Sequence, residues 1–356
     1  LMRSSAASDV YKRQGESGST GLLLQQNMWE VVPLLGYGIV EQQGTQNPEE
    51  DETTCRTLTT EDLISEELLL PQPEETQQTA LIPESVEATA GTALSNFRPA
   101  VQQVQIDRTQ LADYETLVRN FYAIDANTMA GSDQLSVEKL LGMDMTLPQE
   151  GDGPQILIYH THSQEAFADS VPGDVNTGIV GVGECLTKIL TEQYGYRVLH
   201  NTGQYDVETR DNAYSRALPA VEQILAENPS IQVIIDLHRD EVAEETKLVT
   251  DIQGRPTARF MFFNGLSRTR KTGDIDYLAN ENQEANLAFS FQMQLKAAEY
   301  YPGLTRRIYL KGYRYNMHLR PRTLLVELGA QNNTVEEAIN ACDPLAHILD
   351  MVLKGE

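Results

Sequence analysis

The apolar positions of this 356-residue chain change their spacing along its length. Before about residue 95 they follow neither a helical nor a strand period. Over 101–106 they alternate with polar residues, which predicts a strand. Over 111–121, Leu111, Tyr114, Leu117, Val118 and Phe121 share one helical face, and Asp107 or Thr109 can cap that helix. Residues 133–141 suggest a second short helix, and 148–154 a polar loop. From Ile156 onward the pattern becomes short apolar run, loop, amphipathic stretch, short apolar run, which is the signature of βαβ units. Strands are expected at Ile156–Tyr159, 196–200, 231–237 and 323–328. Helices are expected over 176–194, 213–228 (stopped by Pro229) and 279–301 (ended by Pro302 and Gly303), with Thr334 capping a last one. The run 231–237 is nearly all apolar, so it belongs at the centre of a parallel sheet. The runs 248–252 and 259–263, on either side of Gly254, read as a hairpin. The fold class is α/β: a three-layer domain with a mostly parallel central sheet, flanking helices and an antiparallel edge.

Composition divides the chain in two. Residues 1–95 read as a disordered acidic N-terminal region or linker, and 96–356 as one catalytic domain. From Glu49 to Ala90 there are twelve acidic residues and a single basic one, Arg56. The opening Leu1–Gln14 reads as translated adapter sequence, so the expected native start lies elsewhere. A net charge of −25 and a pI near 4.6 argue against nucleic acid as a partner, because phosphate recognition needs clustered Lys and Arg. Cys55, Cys185 and Cys342 are too widely spaced for a disulfide framework or a cysteine metal site. No run of 18 apolar residues occurs; the nearest, 29–40, is interrupted by Pro33, Gly36 and Gly38.

The chemistry gathers where strands end. The strand Ile156–Tyr159 runs into His160, His162 and Glu165. In an open α/β sheet, the carboxyl ends of strands are where reacting groups collect. A catalytic zinc takes three protein ligands and keeps a fourth position open. His162 and Glu165 supply two, and His238, directly after the central strand, supplies the third. Glu327 lies in an apolar strand, where a carboxylate is costly without a purpose or a partner. It is the candidate for moving protons between water and a leaving group. His160, Arg239 and Asp240 are candidates for orienting the ligands or binding substrate, and His160 is also an alternative ligand to His162.

Four motifs in fixed order carry a resemblance. They are His-Thr-His-Ser-Gln-Glu-Ala-Phe at 160–167, Asp-Leu-His-Arg-Asp at 236–240, Tyr-Pro-Gly-Leu-Thr-Arg at 301–306 and Val-Glu-Leu-Gly-Ala-Gln-Asn-Asn at 326–333. Together they make residues 100–350 similar to the stage II sporulation protein P family. The resemblance implies an amidase-like fold and a zinc-dependent N-acetylmuramoyl-L-alanine amidase that also acts as an endopeptidase. Its substrate would be the glycan and stem peptides of peptidoglycan, during forespore engulfment. It further implies stage II sporulation proteins D and M as partners, and an extracytoplasmic, membrane-associated location at the sporulation septum. Carried over by motif, His162, Glu165 and His238 would hold zinc and Glu327 would be the catalytic carboxylate. Related amidases place the ligand carboxylate further along, at the next helix, where this chain has Asp174 and Glu184. The rival readings are a metallocarboxypeptidase-type peptidase and a non-catalytic wall-binding scaffold.

Overall fold

Runs such as 156–159 and 231–237 are apolar at successive positions, so both faces of the sheet they build must be covered. The computed structural model, which describes residues 97–148 and 151–356, covers both faces with helices. The expectations for residues 1–95 lie outside the described residues. The first half of the domain contains α1 (Tyr114–Phe121), β1 (Tyr122–Ile124), α2 (Val137–Gly142), β2 (Ile156–Tyr159), α3 (Ile179–Glu192), β3 (Val198–His200), α4 (Ala213–Glu227) and β4 (Val233–Asp240). The second half contains β5 (Val249–Ile252), β6 (Arg255–Ala258), β7 (Phe260–Gly265), β8 (Arg268–Thr269), β9 (Gly273–Asp274), α5 (Gln283–Tyr300), β10 (Ile308–Lys311), β11 (Arg322–Ala330) and α6 (Val335–Lys354).

Seven strands form one sheet in the order β1-β10-β7-β11-β4-β2-β3. Neighbours pair in parallel except β7 and β11, which are antiparallel. The antiparallel portion is therefore a block of three strands, β1, β10 and β7, running against the other four. Among the four, β4 sits between β11 and β2 and pairs in parallel with both, as its apolar sequence predicts.

Strand parity sorts the side chains between the two faces. Ile156, Ile158, Val233, Ile235, Leu237 and Val326 enter the main core with α3, α5 and α6. Leu157, Tyr159 and Ile234 pack instead on Ala217, Val221 and Leu225 of α4. Leu325 packs with Tyr214, at the start of α4, and with Phe263. By the same parity, Asp236, His238 and Glu327 open toward the α4 side. This is how two unrelated strands come to present chemistry to one space.

Three expectations give way to the structure. Residues 101–106 form no strand. They lie extended and mostly exposed across the end of α5, where Gln103 N and Val104 N both donate to the Glu299 carbonyl, at 2.8 and 3.0 Å. The last turn of a helix has carbonyls in need of donors, and that need takes the place of a partner strand. The helix expected over 111–121 begins only at Tyr114, because the cap is Asp113, whose side chain accepts from Thr116 N at 2.9 Å, and not Asp107 or Thr109. The hairpin pairs 249–252 with 255–258, and 259–263 continues as β7 into the main sheet. Gln253 and Gly254 have φ of 57° and 78°, the two-residue turn that brings Ile252 directly opposite Arg255.

Candidate active site

The parallel strands β2, β3 and β4 end on one side of the sheet, and the loops that leave them meet there. From the β2 loop come His162 and Glu165, both buried. From the β3 loop come Asp206 and Arg210. His238 lies near the end of β4, and Glu327 stands directly beside it in β11.

Each candidate ligand has a charged group behind it. Glu165, only 2% exposed, accepts from Arg210 Nη2 at 2.8 Å through Oε1 and from the Arg239 backbone N at 2.8 Å through Oε2. That second oxygen is also 3.6 Å from His238 Nδ1. On its other side, His238 Nε2 stands 2.8 Å from Asp236 Oδ1, at ion-pair distance but without hydrogen-bond alignment. Asp236 is itself held by Thr161, whose N and Oγ1 donate to it at 2.9 and 2.7 Å. His162 Nδ1 is 3.7 Å from Asp206 Oδ2, and Asp206 accepts from Ser163 N, Ser163 Oγ and Gln164 N. The His162 and His238 rings lie 5.3 Å apart. Tyr214 stacks on His238 at 6.3 Å and meets His162 edge-on at 5.8 Å, closing one wall with Tyr315.

The charges divide sharply over this short distance. Burial opposes charging His238, but the Asp236 and Glu165 carboxylates outweigh it and lift its pKa well above the usual imidazole range. Burial likewise works against ionised Glu165, yet Arg210 and His238 hold its carboxyl well below the ordinary range. For His162 burial prevails and lowers the pKa, although Asp206 pulls the other way. Glu327 is pushed up to about 8, chiefly by burial, with Asp240 and Glu165 adding to the rise and His238 and Arg210 opposing it. Its Oε2 is buried without a hydrogen-bond partner, as is His162 Nδ1. A carboxyl poised near neutrality and not tied to a partner is suited to accept and return a proton.

Two imidazoles and a carboxylate are a donor set that suits zinc. His238 Nδ1 and Glu165 Oε2 are close enough to face one ion, and the His162 ring, with its Nδ1 toward Asp206, lies 5.3 Å from the His238 ring. Among the described residues, no three or more His, Cys, Asp or Glu side chains are already gathered closely enough to hold a metal. The donors fit by chemistry and neighbourhood rather than as a closed cage.

The remaining candidates stand elsewhere. His160 has the parity of Ile156 and Ile158, so its ring turns to the α3 side. There Nδ1 donates to the Leu237 carbonyl at 2.8 Å and Nε2 meets His200 Nε2 at 3.0 Å. It braces the strand end that carries His238 and contacts neither His162 nor Glu165 as a ligand would. Glu184, one alternative carboxylate, pairs with His200 Nδ1 at 3.0 Å on that same far side. Asp174, the other, accepts from Asn176 N and caps a short turn. Arg239 contributes its backbone N to Glu165 while its side chain donates to the Ala166 carbonyl, and Asp240 pairs with Arg306 Nη1. Asp206, Arg210 and Tyr214 were missed in the sequence. The rule that picked out His162 and His238, chemistry just past a strand end, applies equally to the loop after 196–200.

The sequence profile of the stage II sporulation protein P family matches residues 55–350. The chain belongs to this family. Stage II sporulation protein P of Bacillus subtilis (strain 168) is 26% identical over 217 residues, which cover 56% of this chain and 51% of that protein. The chain thus spans about half the length of this curated relative. Among solved structures, an N-acetylmuramoyl-L-alanine amidase of Nostoc punctiforme matches with a TM-score of 0.34 and 12% identity, covering 57% of this chain and 97% of that one. One from Mycobacterium smegmatis matches with a TM-score of 0.36 and 13% identity, covering 58% and 100%. Among the described residues, no helix is long and apolar enough to cross a membrane.

Proposed function

We propose that this member of the family is a zinc-dependent peptidoglycan hydrolase that cuts the amide between N-acetylmuramic acid and L-alanine, and also peptide cross-links. The observation that carries this reading is Glu327. It is a half-buried carboxyl beside His238 whose Oε2 is buried without a hydrogen-bond partner, on the sheet face that also collects His162 and Glu165. Family membership supports the wall as the substrate and engulfment as the setting. It likewise supports stage II sporulation proteins D and M as partners and an extracytoplasmic, septal location.

In this mechanism His162, Glu165 and His238 hold the metal. Once bound, zinc supplies Lewis acidity, which polarises a carbonyl and makes a nearby water easier to deprotonate. Glu327 accepts the proton from that water as its oxygen bonds to the lactyl carbonyl carbon. It then returns the proton to the alanine nitrogen as the C–N bond breaks. The products are a free lactyl carboxylate and a free peptide amine, and Glu327 ends the cycle as it began. Asp236 and Asp206 hold the two imidazoles, and Tyr214 with Tyr315 shields one side of the site from water.

The experiment compares purified wild type and Glu327→Gln on cell-wall sacculi, reading new amino termini and muropeptide masses. The variant is expected to lose at least about a hundredfold in rate, the usual size of a general acid–base contribution. If it releases peptide as fast as the wild type, the role given to Glu327 is wrong. Masses showing cleavage only at a carboxy-terminal residue would instead establish a carboxypeptidase.

A further inference from the structure

The two oxygens of Glu165 have separate neighbours. Oε2 faces His238 Nδ1 at 3.6 Å, whereas Oε1 takes the guanidinium of Arg210 at 2.8 Å. The Arg239 backbone N, bound to Oε2, limits rotation of the carboxylate about its own axis. Arg210 therefore fixes which oxygen turns toward the two imidazoles. Its side chain is 38% exposed while that of Glu165 is 1% exposed, so a surface loop reaches inward to one buried carboxylate. Two further sets of hydrogen bonds anchor that loop. Arg216 of α4 donates to the Tyr205 and Thr209 carbonyls on either side of the 206–208 turn, and Asp206 in the same segment binds Ser163 and Gln164, next to His162. One loop thus grips both halves of the β2 motif.

We infer that Arg210 is a positioning residue for the metal site: it orients Glu165 by holding Oε1 so that Oε2 is presented with His238 to the ion. The inference rests on the zinc reading. The outer contacts of a ligating carboxylate set its direction, and their loss typically weakens metal binding about 10–100-fold. The obvious alternative is that Arg210 only neutralises a buried negative charge. The two roles differ in sign. A cation that merely balances charge opposes the approach of Zn2+, so removing it tightens zinc binding; removing a positioning group weakens it.

Zinc affinity is measured by competition with a chromophoric chelator for wild type, Arg210→Lys and Arg210→Met full chains, with thermal unfolding of each metal-free protein alongside. The dissociation constant is expected to rise about 10–100-fold in Arg210→Met. Arg210→Lys, which keeps a donor for Oε1, should recover part of the loss. An affinity within twofold of wild type, or a tighter one, overturns the inference even if the melting temperature falls, because a merely structural role would move only the latter. Should Arg210→Met not fold, Arg210→Gln is judged by the same criterion. A wild type that binds no zinc at all would instead sink the reading beneath it.

Discussion

Replacing Glu327 by Gln is expected to stabilise the metal-free protein, increasingly so as the pH rises. The carboxyl has a pKa of about 8 in the folded chain, against an ordinary value of 4.5. A folded pKa above the unfolded one means that the unfolded chain gives up the proton first. Below pH 4.5 both states hold it, and Glu327 contributes no pH-dependent cost. Between pH 4.5 and 8 the folded state falls behind by about 1.4 kcal/mol per unit, and above 8 the deficit is constant. Gln has nearly the same shape and no titration. Its advantage over Glu should therefore grow by about 3 kcal/mol between pH 4.5 and pH 7, whatever fixed difference the amide itself introduces. Urea unfolding of both proteins with a chelator present, at half-unit steps across this range, gives the difference directly. Two stability curves that stay parallel from pH 4.5 to 7 would refute the account, because they would mean that burial leaves this carboxyl unperturbed. Together with the loss of wall cleavage, the result would show a residue kept at the expense of stability.

Two further substitutions probe the frame around the site. Gly329 has a φ of +67°, and a Cβ there would stand 3.0 Å from Ala258 Cβ, so Gly329→Ala should cost about 1–2 kcal/mol in urea unfolding. It lies in the register shift just after Glu327, so sacculus digestion should fall further than the lost stability explains. Asp236→Ala strands both donors of Thr161 and takes from His238 the nearer of its two carboxylates, at roughly 1–3 kcal/mol for each buried group. Thr161→Val removes only one donor, so its fall in melting temperature should be clearly the smaller; equal falls would show that Asp236 does not anchor His238.

The parts of the fold that were legible in the sequence are those where a single physical demand acts on every residue. The central strand, the helix at 213–227 and the Thr334 cap all satisfy local rules, and the structure keeps them with small shifts in their ends. The Thr334 hydroxyl accepts from Glu337 N while the Glu337 side chain accepts from Thr334 N, as a capping box requires. Two of the elements missed, β1 and β10, have remote partners. β1 has three residues and its one partner, β10, lies more than 180 positions away in sequence, while β10 has four and is held between β1 and β7. The extended run 101–106 had the right alternation but met a helix end. For the site, strand-end chemistry pointed to His162, Glu165, His238 and Glu327, which the structure brings together, while His160 keeps the strand direction of Ile156 and Ile158 and His162 lies in the loop beyond it. Arg210 and Asp206 carry no periodic signal, because loop residues are placed by the contacts they make. Cys342 of α6, which carries no signal in the sequence, donates its thiol to the Val182 carbonyl of α3 at 3.6 Å where the two helices pack.

The position of β11 has a consequence for when activity can first arise. This strand is the last to be synthesised, yet it is inserted between β7 and β4 in the middle of the sheet. Until residues 322–330 emerge, β7 and β4 each keep an open edge, and His238 has no carboxylate neighbour on the next strand. The sheet cannot close from its amino-terminal end alone, and its central pairings span nearly ninety positions of sequence, which slows folding. On the proposed mechanism, a chain released before residue 322 lacks Glu327 and would not cut the wall. A hydrolase directed at the cell's own wall would gain a safeguard from the order in which its strands are made, with no inhibitor required.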